Sequence, residues 1–127
     1  MQRPPLSDAV RRYVSANVRS VPYLEAMLLG RSAPEAVWDA PALARRLYVS
    51  SVEAANLLEA LSTAGLLRRS GARGYTYAPE DEALGALVDQ IAEAYARNLT
   101  GITDLIHSSA DQRAYQFADA FRIRKDK

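Results

Sequence analysis

"SSVEAANLLEALSTAGLL", residues Ser50 to Leu67, is the stretch on which the fold turns. Val52, Ala55, Leu58 and Leu61 recur every third residue with Leu57 beside them, which predicts the buried stripe of a helix. Gly65 then offers the residue type that leaves a helix most cheaply in the left-handed conformation. The positions left facing outward are Ser51, Glu53, Ala54, Asn56, Glu59 and Ala60. Between Ser50 and Leu67 there is no Lys or Arg, and there are two glutamates. What such a neutral, acid-bearing face meets is the question this sequence poses.

Upstream, Ser7 and Asp8 mark a helix start, and Val10, Tyr13, Val14 and Val18 fall at helical spacing. Ser20 is a candidate cap for a second helix with Pro22 in its first turn. Val21, Leu24, Met27 and Leu28 form its apolar face, and Gly30 is its expected stop. Residues 31–37 read as a loop leading to Trp38 in a short strand. Asp39 caps a small helix with Pro41 in its first turn and Leu43, Ala44 and Leu47 facing inward. After the quoted stretch, "LLRRS", "GARG" and "YTYAP" read as strand, tight turn and strand, closed by Pro79.

Glu80 to Ile106 reads as one long helix with Glu80, Asp81 and Glu82 at its positive end. Leu84, Val88, Ile91, Tyr95, Ile102 and Leu105 give a heptad-like seam in which Asn98 takes one place; Gly85 and Gly101 weaken it. Asn98 either sets the register of a dimer or faces solvent. Ser109 with Gln112 matches a capping box for a last helix, whose face would be Ala114, Phe117, Ala118 and Phe121.

The run "LARRLYVSSVEAANLLEALSTAGLLRR", residues 43–69, resembles the winged helix-turn-helix of MarR-type and related bacterial regulators. In that family a small L-A-x-x-L helix precedes a turn, and a second helix ends in L-x-x-x-G-L-L/I-x-R. The matching residues here are Leu43, Ala44 and Leu47, then Leu61, Gly65, Leu66, Leu67 and Arg69. The resemblance covers residues 20–79, roughly half of the chain. It implies a mainly α fold with a small β-wing, an N-terminal helix and a C-terminal helical extension. It also implies a DNA-binding transcriptional regulator, while the lack of a signal-peptide core or membrane-length apolar run in the sequence makes the cytoplasm the expected compartment. By this reading residues 7–79 form the winged module with its N-terminal helices, and residues 80–124 the extension. The family's dimers interlock their first and last helices, so a homodimer through residues 7–18 and 80–121, reading a near-palindromic operator, is implied as well.

On that reading the quoted helix would enter the major groove. Ser51 and Asn56 are the best base readers, since Asn pairs with adenine in bidentate fashion, and Glu53 can accept from cytosine. Arg68, Arg69 and Arg73 on the wing, with Arg45 and Arg46 on the preceding helix, would hold the phosphate backbone. The same arginines and the same helix face are also what the solvated surface of an Arg-rich protein would show. The fold is used as well for docking proteins, so a non-enzymatic protein-interaction adaptor, in which the acid-bearing helix meets an unidentified partner, is the rival reading. A weaker third is a ligand sensor with Tyr95, Phe117 and Phe121 around a pocket.

The whole-chain properties agree with a small globular protein. With 127 residues, 49% hydrophobic and 24% charged, the chain is about one domain long and able to build a core without staples. The absence of cysteine excludes disulfides and thiolate metal sites. Net charge is +1, but residues 1–79 carry ten Arg against six acids, whereas residues 80–127 carry six bases against nine acids. The front half is therefore mildly basic and the back half acidic, which suits a polyanion at one and protein at the other. No apolar run approaches membrane-spanning length, and "MQRPPLSDAV" lacks the core of a signal peptide. His107 is the sole histidine, and no nucleophile elbow, phosphate-binding glycine loop or metal-ligand spacing is present. Catalysis, cofactors and metals are not expected.

Overall fold

A computed structural model describes residues 6–109. The elements are α1 (Asp8–Asn17), α2 (Val21–Ser32), α3 (Ala40–Leu47), α4 (Ser51–Thr63), β1 (Leu67–Ser70), β2 (Gly74–Tyr77) and α5 (Glu82–Arg97). A further helix, α6, occupies residues 99–109. The protein is mainly α with a two-stranded antiparallel sheet, the helix-rich class with a small β-wing that the sequence implies. The described residues fall into two compact units, Pro22–Glu93 and the segments on either side of it.

In the unit Pro22–Glu93, α2 buries Tyr23, Leu24, Ala26 and Met27. It does not stop at Gly30 as expected but continues to Ser32. Its backbone is not left-handed there, and the hairpin lies against it: a Cβ on Gly30 would sit 3.5 Å from Leu67 Cδ2 and 3.7 Å from Tyr77 Cδ1, in ordinary contact. Glycine costs roughly 1 kcal/mol inside a helix, a cost that packing of α2 on its neighbours outweighs.

Asp39 caps α3 by accepting from the Ala42 N–H at 2.9 Å, and Leu43 and Ala44 are buried. Ser50 caps α4 by accepting from the Glu53 N–H at 3.0 Å. The buried face of α4 is Ala54, Leu57, Leu58 and Leu61. This corrects the stripe expected from the sequence. Val52 is 72% exposed and Ala55 is exposed too, whereas Ala54, expected outside, is wholly buried, and Ala60 is half-buried. Three leucines at 57, 58 and 61 carry far more apolar area than Val52 and Ala55, so burying them sets the helix's rotation.

Gly65 leaves α4 at φ 81°, and the Leu66 N–H donates back to the Leu61 carbonyl at 3.0 Å. The hairpin pairs Leu67 with Tyr77, Arg68 with Thr76, Arg69 with Tyr75 and Ser70 with Gly74. Trp38 adds a one-residue third rung, exchanging two 2.8 Å backbone bonds with Tyr75. Gly74 is required there, because a Cβ would run into Val37 and lie 2.8 Å from the Ser70 carbonyl oxygen. Asp81 opens α5 by accepting from the Leu84 N–H at 2.8 Å, and Val88 and Ile91 are fully buried.

In the other unit, Ser7 caps α1, and Val10, Val14 and Val18 are buried, as are Ile102 and Ile106 of α6. The single helix expected from Glu80 to Ile106 is broken at Asn98, three residues before Gly101. Asn98 Oδ1 accepts from the Gly101 N–H at 3.0 Å, so its side chain caps α6. Asparagine competes well for such N–H groups, and a Cβ on residue 101 would stand 2.5 Å from the Asn98 amide nitrogen, so a glycine leaves room for the cap. Asn98 is thus a helix start rather than a polar place in a continuous seam. Ser109, expected to begin a last helix, is itself helical within α6. Gln112, Ala114, Phe117, Ala118 and Phe121 lie outside the described residues.

Candidate functional site

The link from α3 to α4 is short and strained at one residue. Tyr48 ends α3 in the left-handed conformation, φ 58° and ψ 45°, and its N–H donates to the Ala44 carbonyl. The Val49 N–H reaches the same carbonyl at 3.2 Å. Glycine or asparagine is the usual residue here, because a Cβ crowds the backbone at positive φ. Tyr48 bears that cost with its side chain 95% exposed.

At about 100° per residue, Val52, Ala55, Asn56 and Glu59 lie on the side of α4 opposite the leucines. All four are exposed, as are Ser51 and Glu53 at its first turn. The outer face of α4 is therefore short-chained, uncharged apart from its glutamates, and apolar at Val52. The sequence-predicted readers Ser51, Glu53 and Asn56 are all on accessible surface.

The five candidate arginines are exposed but do not form one cluster. Arg45 and Arg46 share the last turn of α3, and the Arg46 guanidinium lies 5.7 Å over the Trp38 ring. Arg69 lies 5.6 Å over Tyr75, its partner across the hairpin, and donates to the Ala72 carbonyl at 3.1 Å. Successive strand residues point to opposite faces, so Arg68 projects from the face opposite Arg69. Arg73 is in the turn. Stacking fixes Arg46 and Arg69 while leaving outer guanidinium N–H groups able to donate.

Behind this surface two polar groups are buried without a hydrogen-bond partner among the described residues, the Trp38 Nε1–H and the Tyr77 hydroxyl. Burial, with a smaller contribution from Asp89, pushes the Tyr77 hydroxyl above the usual tyrosine range, and Arg31 partly counters it. Arg31 and Asp89 are joined at 2.7 Å in an ion pair on the surface. Among the described residues no group of three or more His, Cys, Asp or Glu side chains is placed to hold a metal ion, and no helix is long and apolar enough to cross a membrane.

Sequence reasoning missed two features: the exposure of Val52 and the strained turn at Tyr48. For Val52 the signal was present, since a stripe centred on Leu57, Leu58 and Leu61 places it on the far side. For Tyr48 the only hint was a turn lacking glycine.

Comparison of the chain with protein-family models, with curated proteins and with solved structures gives no match.

Proposed function

We propose that the chain binds double-stranded DNA as a cytoplasmic transcriptional regulator of the winged helix-turn-helix kind, similar to MarR-type proteins. The observation that carries this reading is the placement of its arginines. Arg45 and Arg46 precede an exposed α4, and Arg68, Arg69 and Arg73 lie on the hairpin that follows it. Exposed arginine on both flanks of a helix with short outward side chains is an arrangement in which backbone grip and base reading are divided. The affinity comes from the arginines, and Ser51, Glu53 and Asn56 supply hydrogen-bonding groups for base edges.

A homodimer belongs to the same proposal. Val10, Val14 and Val18 are already buried within one chain, so a partner copy would have to use other surface of these helices.

Selection of random duplexes at moderate salt, followed by gel shifts, tests the reading. It expects a near-palindromic motif, uniform weakening by Arg68→Ala and Arg73→Ala, and relaxed preference at one base pair in Asn56→Ala. No retention of any duplex at low salt would defeat it, and equal effects of all three variants would defeat the division of labour.

The exposure of Tyr48 and Val52 beside Glu53 and Glu59 favours a second reading, a protein-docking adaptor. In that case a partner would co-purify, and Glu53→Lys or Glu59→Lys would abolish its binding without any effect of DNA.

A further inference from the structure

Four side chains of the unit Pro22–Glu93 stand in one row. Trp38 bridges Tyr75, and Tyr75 is the cross-strand partner of Arg69. Residues directly opposite one another in a sheet point to the same face, so Trp38, Tyr75 and Arg69 share one. Arg46 reaches this row from the last turn of α3, its guanidinium 5.7 Å from the centre of the Trp38 ring. The Arg69 guanidinium lies 5.6 Å from the centre of the Tyr75 ring and also donates to the Ala72 carbonyl at 3.1 Å. Trp38 is buried and Tyr75 half-buried, while both arginines are exposed, so each guanidinium is set between a ring and solvent. What holds the two arginines carries no charge. A ring and a carbonyl restrain a guanidinium without neutralising it, whereas Arg31 is paired with Asp89. Among the described residues neither Arg46 nor Arg69 has an acidic partner.

A restrained, unneutralised pair of cations suits an anion with two charges at fixed spacing. Side chains opposite each other on adjacent strands start about 5 Å apart, so the pair is too close to span the roughly 12 Å major groove and matches neighbouring charges on one strand. Arginine is suited to phosphate because its planar fork can donate twice. We propose that Arg46 and Arg69 form a two-pronged clamp for consecutive phosphates of one DNA strand, with Trp38 and Tyr75 as its positioning residues. This rests on the DNA-binding reading and deepens it. Backbone grip is divided between two arginines fixed before binding and the unstacked Arg45, Arg68 and Arg73. A prong fixed in advance gives up less side-chain freedom when it binds. Arg68 is on the opposite face of the sheet from Arg69 and takes no part in the clamp.

Fluorescence anisotropy of one selected duplex across a salt series tests the clamp, with thermal midpoints measured alongside. Arg46→Ala and Arg69→Ala should each lower the slope of log K on log salt by about 0.9. Tyr75→Leu should weaken binding about two- to tenfold at an unchanged slope, since the contact remains and only its restraint is lost. Tyr75→Phe keeps the ring and should bind as the unaltered chain does. In Arg69→Ala, adding Tyr75→Leu should cost nothing more, an outcome that a merely structural role for the ring would not give. Trp38 is the only tryptophan of the chain, so its emission reads the other prong. The duplex should change that emission in the unaltered chain and leave it unchanged in Arg46→Ala. Should Tyr75→Leu fail to fold, the two slopes and the Trp38 emission decide. Four results would overturn the inference and leave DNA binding intact. They are an unchanged slope in either arginine variant, full affinity in Tyr75→Leu, a Tyr75→Leu loss that persists without Arg69, and a Trp38 emission blind to duplex. Failure to retain any duplex at low salt overturns the inference together with the reading beneath it.

Discussion

Tyr77 shows how one side chain can be both well placed and costly. Gly30 of α2 packs against its ring, yet its hydroxyl is buried with no partner among the described residues. An unsatisfied buried hydroxyl costs about 1–3 kcal/mol, so Tyr77→Phe should leave stability at pH 7 unchanged or raise it by about 1 kcal/mol. The pH dependence follows from the raised hydroxyl. The unfolded chain loses this proton near the ordinary tyrosine value of 10.0, before the folded chain does. The associated stability is therefore complete below about pH 10 and falls as pH rises through the folded value. Urea unfolding at pH 7 and pH 10.5 checks both statements: the advantage of Tyr77→Phe should widen at the higher pH. Tyr48 is the opposite case, since its strain is in the backbone and its ring is outside. Tyr48→Gly should raise stability by roughly 0.5–1 kcal/mol in the same assay.

At the scale of elements, two helix ends are set by single residues. Gly65 leaves α4 at φ 81°, and a Cβ there would approach the Glu80 side chain to 2.5 Å. Glu80 is exposed and flexible and can turn aside, so the backbone conformation dominates the cost. Gly65→Ala should destabilise by about 1–2 kcal/mol, and Gly65→Asn by less, because asparagine tolerates this region. Thermal unfolding of the two variants distinguishes the causes, since a steric origin would make Asn the worse of the two. Asn98 begins α6 through its bond to the Gly101 N–H. Asn98→Ala should cost about 1 kcal/mol, and Asn98→Asp should retain most of the cap. A rise in stability on Asn98→Leu would instead favour the continuous helix that the heptad-like spacing implies.

For the whole molecule the question is how charge is distributed over a surface of nearly neutral total. Arg45, Arg68 and Arg73 are exposed with no ion pair or ring contact among the described residues, while Arg46 and Arg69 are held on aromatic rings. On the DNA-binding reading, three to five phosphate contacts give a salt dependence of log K on log salt of about −3 to −4.5 per chain, at about −0.9 for each contact. Fluorescence anisotropy on a fixed duplex across a salt series measures it. Arg68→Ala and Arg73→Ala should each lower the slope by about 0.9, and a slope near zero would mean that these arginines contact no phosphate.

The sequence by itself determined the order of helices, the hairpin and most of the ends, because caps and turns are local. Ser7, Asp39 and Ser50 each bond an N–H three residues on, and Gly65 supplies its own φ. The accessible placing of Ser51, Glu53, Asn56 and the five arginines was legible too, since polar side chains on a short amphipathic helix and at a hairpin have few other places to go. What tertiary structure decided was rotation. Whether Val52 or Ala54 faces the core depends on which neighbours compete for the helix, and the bulk of Leu57, Leu58 and Leu61 settled it. Gly30 stays inside α2, buried against the hairpin, where a local stop signal alone would have ended the helix. Asn98 divides two helices through a 3.0 Å bond from the Gly101 N–H, a cap as local as those of Ser7, Asp39 and Ser50 but hidden by the heptad-like spacing around it. The exposure of Val52 follows from that competition between two possible stripes, and the left-handed Tyr48 is seen only in the folded turn, because no glycine there announces a positive φ.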